Sequence, residues 1–210
     1  HLAVKKLAEV ALKQQVVLIH ISTDYVFNGE SDEAYMETDE TNPINVYGKT
    51  KLAGERSIQR TMPTNAIIIR TSWVYSKYSN NFVKTMLRLG REKNELNIIS
   101  DQLGSPTCAT DLAKVILIII NSQDCRNKNQ PTEIYHYSNQ GEVSWYNFAK
   151  EIFKLTKTHC KVNPILTEQY LMLAKRPKNS TISKDKISHQ FGINIPHWRE
   201  SLGAHLASNN

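Results

Sequence analysis

Hydrophobic positions recur along the chain in two alternating patterns. Residues 2–15 carry apolar side chains at helical spacing, and residues 16–21 form a run that is apolar except at His20 and rich in β-branched residues. The first pattern predicts an amphipathic helix, and the second predicts a strand that is buried on both of its faces. A predicted helix at 46–60 and a second buried strand at 66–70 repeat this order. Alternation of helices with buried strands predicts crossover units, a parallel sheet and an α/β fold.

The pattern continues to the end of the chain. Further helices are predicted at 81–92, 111–121, 144–157, 184–190 and 198–206, and further strands at 96–100 and 134–138. The helix at 111–121 is apolar enough to be buried, and Ser144 is a typical N-cap for the helix that follows it. The polar residues 123–132 predict a surface loop. We divide the chain there into a part over residues 1–122 that carries most of the predicted sheet and a smaller α/β part over residues 123–210.

Composition narrows the possible classes of protein. Hydrophobic residues make up 40% and charged residues 22% of the 210 positions, which is typical of a globular protein. The net charge of +6 is spread along the chain, without the basic stripe and module that nucleic-acid binding needs. Three widely separated cysteines fit no disulfide framework and indicate a reduced, cytoplasmic protein. The most apolar run, 115–120, is far too short to cross a membrane.

A tyrosine and a lysine are placed for proton transfer in the helix predicted at 46–60. Tyr47 and Lys51 stand four residues apart, so their side chains share one helix face and can reach one ligand. An ammonium near a tyrosine stabilises the tyrosinate, and such a pair can act as a general acid or base. Most Tyr-x-x-x-Lys pairs are ordinary surface pairs, so the context of this pair matters.

Hydroxyl groups follow the first predicted strand. Ser22 and Thr23 come directly after the apolar run, in the segment Ser-Thr-Asp-Tyr-Val-Phe. Open α/β sheets bind ligands at the carboxyl ends of their strands. Thr23 is therefore placed to donate a hydrogen bond to a substrate oxygen while Tyr47 gives that oxygen a proton. The alternative is a strand-end turn in which these side chains only cap the backbone.

The order of these two motifs resembles that of the extended short-chain dehydrogenases. The segments 22–28 and 45–55 resemble, more narrowly, the dTDP-4-dehydrorhamnose reductases. Three further segments, 70–75, 80–87 and 101–107, agree with that family, and so does Arg-Pro-x-x-Ser at 176–180. The resemblance covers about residues 17–180. It implies that residues 1–122 are the C-terminal part of a dinucleotide-binding Rossmann domain, with some substrate-domain segments, and that residues 123–210 are mostly a small α/β substrate-binding subdomain.

The resemblance implies reduction of the C4 ketone of dTDP-4-dehydro-L-rhamnose to dTDP-L-rhamnose, a precursor of cell-surface polysaccharide such as lipopolysaccharide. NADPH or NADH would deliver hydride, Tyr47 would protonate the oxygen, Lys51 would bind the nicotinamide ribose, and Thr23 would polarise the carbonyl. The cofactor-binding residues implied are Ser22, Tyr47, Lys51, Thr71 and Ser72. The substrate-binding residues implied are Asp24, Tyr25, Trp73, Asn81 and Arg176. A turn cap for Asp24 and core packing for the two aromatic residues are the alternative interpretations.

Two features of the family pattern are absent or weak in this chain. The eight glycines form no phosphate-binding loop, so we expect the first crossover units, roughly 80 residues, to precede His1. Some family members are described as magnesium-linked homodimers, and Glu92, Glu95 and Asp101 are acidic residues in the corresponding region. Solvated surface carboxylates explain these three better, and we assign no metal ligand.

Two other classes of protein share parts of these motifs. Sibling dehydratases follow the threonine with an Asp-Glu pair, whereas Asp24 is followed here by Tyr25, and epimerases usually lack the Thr-Asp-Tyr-Val-Phe run. The regulatory subunit of methionine adenosyltransferase is a non-catalytic binding protein that keeps the Tyr-x-x-x-Lys motif. It matches less well at Trp73 and across 101–107, but binding proteins can retain unused catalytic residues.

Overall fold

The computed structural model describes residues 1–126, 129–170 and 174–208. In chain order the elements are α1 (Leu2–Lys13), β1 (Leu18–Thr23), a 3-10 turn (Asp24–Val26), α2 (Val46–Thr61), β2 (Ala66–Thr71), β3 (Val74–Tyr75), α3 (Phe82–Glu92), β4 (Glu95–Ile99), β5 (Leu103–Gly104), β6 (Thr107–Cys108), α4 (Ala109–Asn121), α5 (Gln123–Arg126), β7 (Glu133–Tyr137), β8 (Val143–Ser144), α6 (Trp145–Thr156), β9 (Lys161–Ile165), a second 3-10 turn (Thr167–Gln169), α7 (Asp185–Phe191) and α8 (Trp198–Ala207).

A parallel sheet in the order β1-β2-β7 lies between two helical layers. Successive side chains of a strand point to opposite faces. Ile68 of β2 therefore packs with α1 and α2, whereas Ile67 and Ile69 pack with α4 and α7. Because β2 has a neighbouring strand on each side and a helical layer on each face, all of its residues are buried. This arrangement confirms the α/β fold with a parallel sheet predicted from the alternating pattern, and the Rossmann-like fold that the resemblance implies.

β1 differs from the strand that the sequence predicted. Residues Leu18 to Ile21 are only half-buried, because among the described residues β1 pairs on one side alone, with β2. The strand also continues through Ser22 and Thr23, which were expected just beyond its end. The two hydroxyl residues are therefore held by the ladder to β2, opposite Arg70 and Thr71.

The buried helix predicted at 111–121 is buried on one side only. Leu112, Val115 and Ile119 of α4 pack on the sheet, whereas Leu117 is 58% exposed. Unbroken hydrophobicity cannot distinguish the packed side of a helix from its outer side. The surface loop predicted at 123–132 contains the short helix α5.

A second layered unit packs around β4 and β9, which pair in parallel. Its core includes Phe148 and Ile152 of α6, Met86 of α3 and Trp198 of α8. β9 was not predicted, because Pro164 and its polar neighbours interrupt the apolar pattern. The chain passes between the two units more than once, since α3 and β4 precede β7 of the main sheet.

Two short ladders contribute residues to the core of the second unit. β3 pairs in parallel with β6, and β5 pairs antiparallel with β8. Trp73 directly precedes β3, and Trp145 directly follows β8, so these pairings bring two distant tryptophans together. Within the described part of the chain, no helix combines the length and the hydrophobicity that crossing a membrane would require.

Candidate active site

A cleft of about 920 Å³ opens at the carboxyl ends of β1 and β2. The start of α2 and the segment 174–176 complete its walls. Most of the site residues predicted from the sequence line it, namely Ser22, Thr23, Asp24, Tyr25, Tyr47, Lys51, Thr71, Trp73 and Arg176. The fold thus brings together residues that are up to about 150 positions apart in the chain.

The first turn of α2 is fixed by its N-cap. Asn45 accepts a hydrogen bond from the Gly48 backbone at 2.8 Å and donates one to the Lys175 carbonyl at 3.0 Å. Tyr47 follows in that turn and is 54% exposed toward the cleft. One turn later, the ammonium of Lys51 donates to the Ile21 carbonyl at 2.6 Å. The helix therefore presents both side chains to the cleft, as their spacing predicts.

Gly48 lets α2 approach the turn that follows β1. A Cβ at Gly48 would lie 2.0 Å from the Tyr25 carbonyl oxygen and 2.9 Å from Cβ of Pro43. This close approach brings the rings of Tyr25 and Tyr47 edge to face, with centroids 5.9 Å apart. One sign of this close approach was present in the sequence, namely a glycine in the first turn of a predicted helix. Glycine is unfavourable in a helix unless a larger side chain would clash.

Asp24 is a buried acid at the base of the cleft. Its Oδ1 accepts a hydrogen bond from the Thr23 hydroxyl at 2.9 Å, and its side chain is 3% exposed. Burial raises the pKa of Asp24 to about 7, although the hydrogen bond from Thr23 acts in the opposite direction. The Thr23 oxygen also accepts from the Tyr25 backbone at 3.2 Å, which orients this hydroxyl.

A buried ion pair lies one turn of α2 beyond Lys51. Glu55 accepts hydrogen bonds from Arg70 Nη2 at 2.8 Å and Arg70 Nε at 3.1 Å, and it also accepts one from the Ser22 hydroxyl. Burial lowers the pKa of Lys51, and the charge of Glu55 opposes that change. Glu55 was not singled out from the sequence. Its position four residues after Lys51 was the available signal.

Aromatic rings form the opposite wall. Trp73 stacks on Trp145 with centroids 3.4 Å apart and planes 8° apart, and Phe82 packs against Trp145 at 4.5 Å. Trp73 has a φ of 46°, in the left-handed region that favours glycine. Gly104 makes room for its ring, since a Cβ there would lie 2.5 Å from Cε2 of Trp73. Trp145 was not singled out from the sequence.

Two predicted site residues lie outside the lining of the cleft. The Ser72 hydroxyl is buried and donates to the Ser105 carbonyl at 2.6 Å. Asn81 is the N-cap of α3, where it accepts from the Lys84 backbone at 3.1 Å and donates to the Ser76 carbonyl at 2.7 Å. The polar groups of both side chains are therefore engaged in supporting the fold.

The charges at the cleft favour an anionic ligand. Lys49, Lys51, Lys175 and Arg176 line it together with a single described carboxylate, Asp24. Among the described residues there is no group of three or more His, Cys, Asp or Glu side chains that could hold a metal ion. The carboxylates named for magnesium thus gain no support.

Comparison with known proteins gives a consistent result. The family model described as "RmlD substrate binding domain" matches residues 1–210. A dTDP-4-dehydrorhamnose reductase of Sinorhizobium fredii is 44% identical over 202 residues, which cover 94% of this chain and 68% of that protein. The structure of the Clostridium acetobutylicum dTDP-4-dehydrorhamnose reductase superposes with a TM-score of 0.90 at 40% identity, over 98% of this chain and 70% of that one. The Bacillus anthracis enzyme in complex with NADP gives a TM-score of 0.92 at 37% identity, over 99% and 71% of the two chains.

Proposed function

The chain belongs to the RmlD substrate-binding-domain family, and from that premise we propose that it catalyses reduction of the C4 ketone of dTDP-4-dehydro-L-rhamnose by NADPH or NADH. The observation that carries this proposal is the convergence of Thr23, Tyr47 and Lys51 at one cleft. Relatives that share 35–44% of their residues with the chain are named for this reaction. The product would be dTDP-L-rhamnose.

Tyr47 is the proton donor in this proposal. When bound, the reduced nicotinamide supplies hydride to C4, and the carbonyl oxygen then requires a proton. The hydroxyl of Tyr47 is exposed in the cleft, and Lys51 lies one turn away with a charge that stabilises the tyrosinate left behind. Thr23 donates its one hydroxyl proton to Asp24 in this structure, and turning that proton to the substrate oxygen would stabilise the charge that develops there.

The residues present fit the nicotinamide end of the cofactor. Lys51 spends one of its three hydrogen-bond donors on the Ile21 carbonyl, so two donors remain for ribose hydroxyls. Ser22 and Thr71 lie beside it at the carboxyl ends of parallel strands, where open α/β sheets bind nucleotides. The glycines of this chain form no loop for a pyrophosphate.

The remainder of the cleft fits a nucleotide sugar. A dTDP-sugar carries a diphosphate, and the guanidinium of Arg176 can bind its oxygens in pairs, with Lys49 and Lys175 nearby. Trp73 offers an indole face on which the apolar face of a sugar ring can pack. In this proposal Asp24, which also lines the cleft, binds a sugar hydroxyl. The substitution of Tyr25 for the glutamate of a dehydratase removes the second acid-base group that loss of water requires.

Turnover with a Tyr47→Phe comparison tests the proposal. The protein should carry any sequence that precedes His1 in its gene, and nicotinamide absorbance is followed with dTDP-4-dehydro-L-rhamnose and each cofactor. We expect turnover by the wild type and a loss of about 10³-fold in kcat for Tyr47→Phe, since a positioned acid contributes about 10²- to 10⁴-fold. Tyr78→Phe, at an exposed tyrosine outside the cleft lining, is the matched control and should keep wild-type kcat.

Absence of turnover with both cofactors, in a protein that still binds the dinucleotide, would overturn the proposal. That outcome would favour the non-catalytic binding subunit. Parallel assays with NADPH and NADH assign the cofactor preference.

A further inference from the structure

A buried carboxylate links the two elements that carry the proposed catalytic groups. Glu55 is 1% exposed and lies on the face of α2 that carries Lys51, one turn further along. Its oxygens accept from the hydroxyl of Ser22 on β1 and from the guanidinium of Arg70 on β2. A buried charge is tolerated only when it is paired and fully hydrogen-bonded, so these contacts specify one arrangement of strand and helix.

Arg70 is held from its other side as well. Its Nη1 lies 3.5 Å from Nε2 of His136, and its guanidinium lies 5.1 Å from the centre of the Phe27 ring. Nδ1 of His136 lies 3.2 Å from the Tyr35 carbonyl, so we assign the proton to Nδ1 and leave Nε2 to accept from Arg70. The network therefore ties β7, β2, β1 and α2 together beside the cleft.

We infer that Glu55 is a positioning residue, whose carboxylate holds the end of β1 against α2 and thereby fixes Thr23 relative to Tyr47. Ser22 directly precedes Thr23 in β1, and Lys51 lies one helical turn before Glu55 in α2. A displacement of the Glu55 carboxylate therefore moves both Thr23 and Lys51. The same charge stabilises the ammonium of Lys51. This inference rests on the proposed reductase function.

The charges around Glu55 predict a change in pH dependence. Lys51 and Arg70 are the cations that face it, and burial lowers the pKa of His20 to about 4 and of His136 to about 3, so both histidines are neutral near pH 7. Loss of the carboxylate leaves Lys51 near the unneutralised charge of Arg70. The pKa of Lys51, already lowered by burial, then falls further. A residue that only filled space would not affect this titration.

Glu55→Gln and the matched control Glu37→Gln form the first test. Glu37 accepts from the His136 backbone at 2.9 Å, and in the described part of the chain it shares no hydrogen bond or ion pair with Ser22 or Lys51. For Glu55→Gln we expect kcat to fall about 100-fold, because a small misplacement of reacting groups has effects of that order. The KM values should change much less, and the basic limb of the pH profile should move to lower pH. Glu37→Gln should leave kcat and the profile as in the wild type.

A double variant separates positioning from simple neutralisation of Arg70. Glu55→Gln leaves a buried charge unpaired and can unfold the protein, whereas Glu55→Met with Arg70→Met replaces the pair by apolar side chains, which is often neutral for stability. We expect the double variant to melt near the wild-type temperature and to keep the low kcat. A folded double variant with wild-type kcat would show that Glu55 only neutralises Arg70, and would overturn the inference.

A measurement without turnover distinguishes failure of this inference from failure of the proposed function. Lysines are methylated with a ¹³C label, and the pKa of Lys51 is followed by NMR in the wild type, Glu55→Gln and Glu37→Gln. A lower pKa of Lys51 in Glu55→Gln alone supports the link between Glu55 and the catalytic helix even if the wild type reduces no substrate. An unchanged pKa in both variants overturns it, whatever the enzyme assay shows.

Discussion

The two walls of the cleft are built by different kinds of interaction. The polar wall, formed by the end of β1 and the start of α2, depends on buried charges and directed hydrogen bonds, such as those of Asp24 and Glu55. The aromatic wall depends on stacking of Trp73 and Trp145, which has no ionisable group. The polar wall should therefore respond to pH and to displacements below 1 Å, whereas the aromatic wall should respond mainly to loss of ring area.

In the polar wall, burial of the charged Asp24 carboxylate costs free energy of folding, and Asp24→Asn should reveal this cost. Burial raises the pKa of this carboxyl from 3.8 to about 7, so its neutral form is favoured in the folded protein. The neutral Asp24 carboxyl contributes its full stability to the folded protein below the pKa that it has in the unfolded chain. This contribution is lost as pH rises through about 7. This rise in the pKa of Asp24 corresponds to about 4 kcal/mol in the free energy of unfolding.

We expect Asp24→Asn to become more stable relative to the wild type as pH rises from about 4 to about 7. Denaturant unfolding at a series of pH values measures this difference. The exposed Asp32→Asn is the matched control and should parallel the wild type throughout. A difference between Asp24→Asn and wild type that stays constant with pH would show that burial of Asp24 carries no such cost.

Gly48→Ala should disrupt the geometry of the polar wall. The added Cβ would lie 2.0 Å from the Tyr25 carbonyl oxygen, so α2 must move away from the turn that carries Asp24 and Tyr25. We expect kcat/KM to fall about 100-fold, equivalent to about 2.7 kcal/mol, because Tyr47 moves with the helix. Steady-state kinetics with the ketosugar measures the loss.

Gly203→Ala in α8 is the matched control for this substitution. Beyond the backbone of its own helix, no described residue lies within 4 Å of a Cβ at Gly203, and alanine is about 1 kcal/mol more favourable than glycine within a helix. The control should be slightly more stable than the wild type and equally active. Equal activity of Gly48→Ala would show that the close approach of α2 to Tyr25 is not needed for the reaction.

The residues of the polar wall were also easier to predict from the sequence than those of the aromatic wall. Tyr47 and Lys51 are related by helical spacing, and Thr23 follows an apolar run directly, so local patterns suffice to place all three. Glu55 shares that spacing, but its partner Arg70 is determined by the register of β2 against β1, which local pattern does not contain. The half-burial of β1 likewise depends on which strands neighbour it.

The aromatic wall depends on contacts between distant parts of the chain. Trp73 and Trp145 are separated by 72 positions, and they adjoin two short ladders, β3 with β6 and β5 with β8. Strands of two residues leave no period in the sequence, so these ladders could not be predicted. Asn81 was placed inside the helix predicted at 81–92, whereas the structure makes it the N-cap that precedes α3.

The smallest expected effect belongs to the aromatic wall and is tested by Trp145→Leu. Leucine keeps apolar contact with Phe82 but removes the ring that stacks on Trp73. An aromatic pair contributes about 0.5–1.5 kcal/mol beyond its buried area, so we expect KM for the nucleotide sugar to rise about 5-fold with little change in kcat. Trp145→Phe retains a stacked ring and should give an intermediate KM. The effect should be equal at low and high pH, because no titrating group is involved. A loss of kcat comparable with that of Gly48→Ala would mean that both walls position the reacting groups, and the distinction between them would not hold.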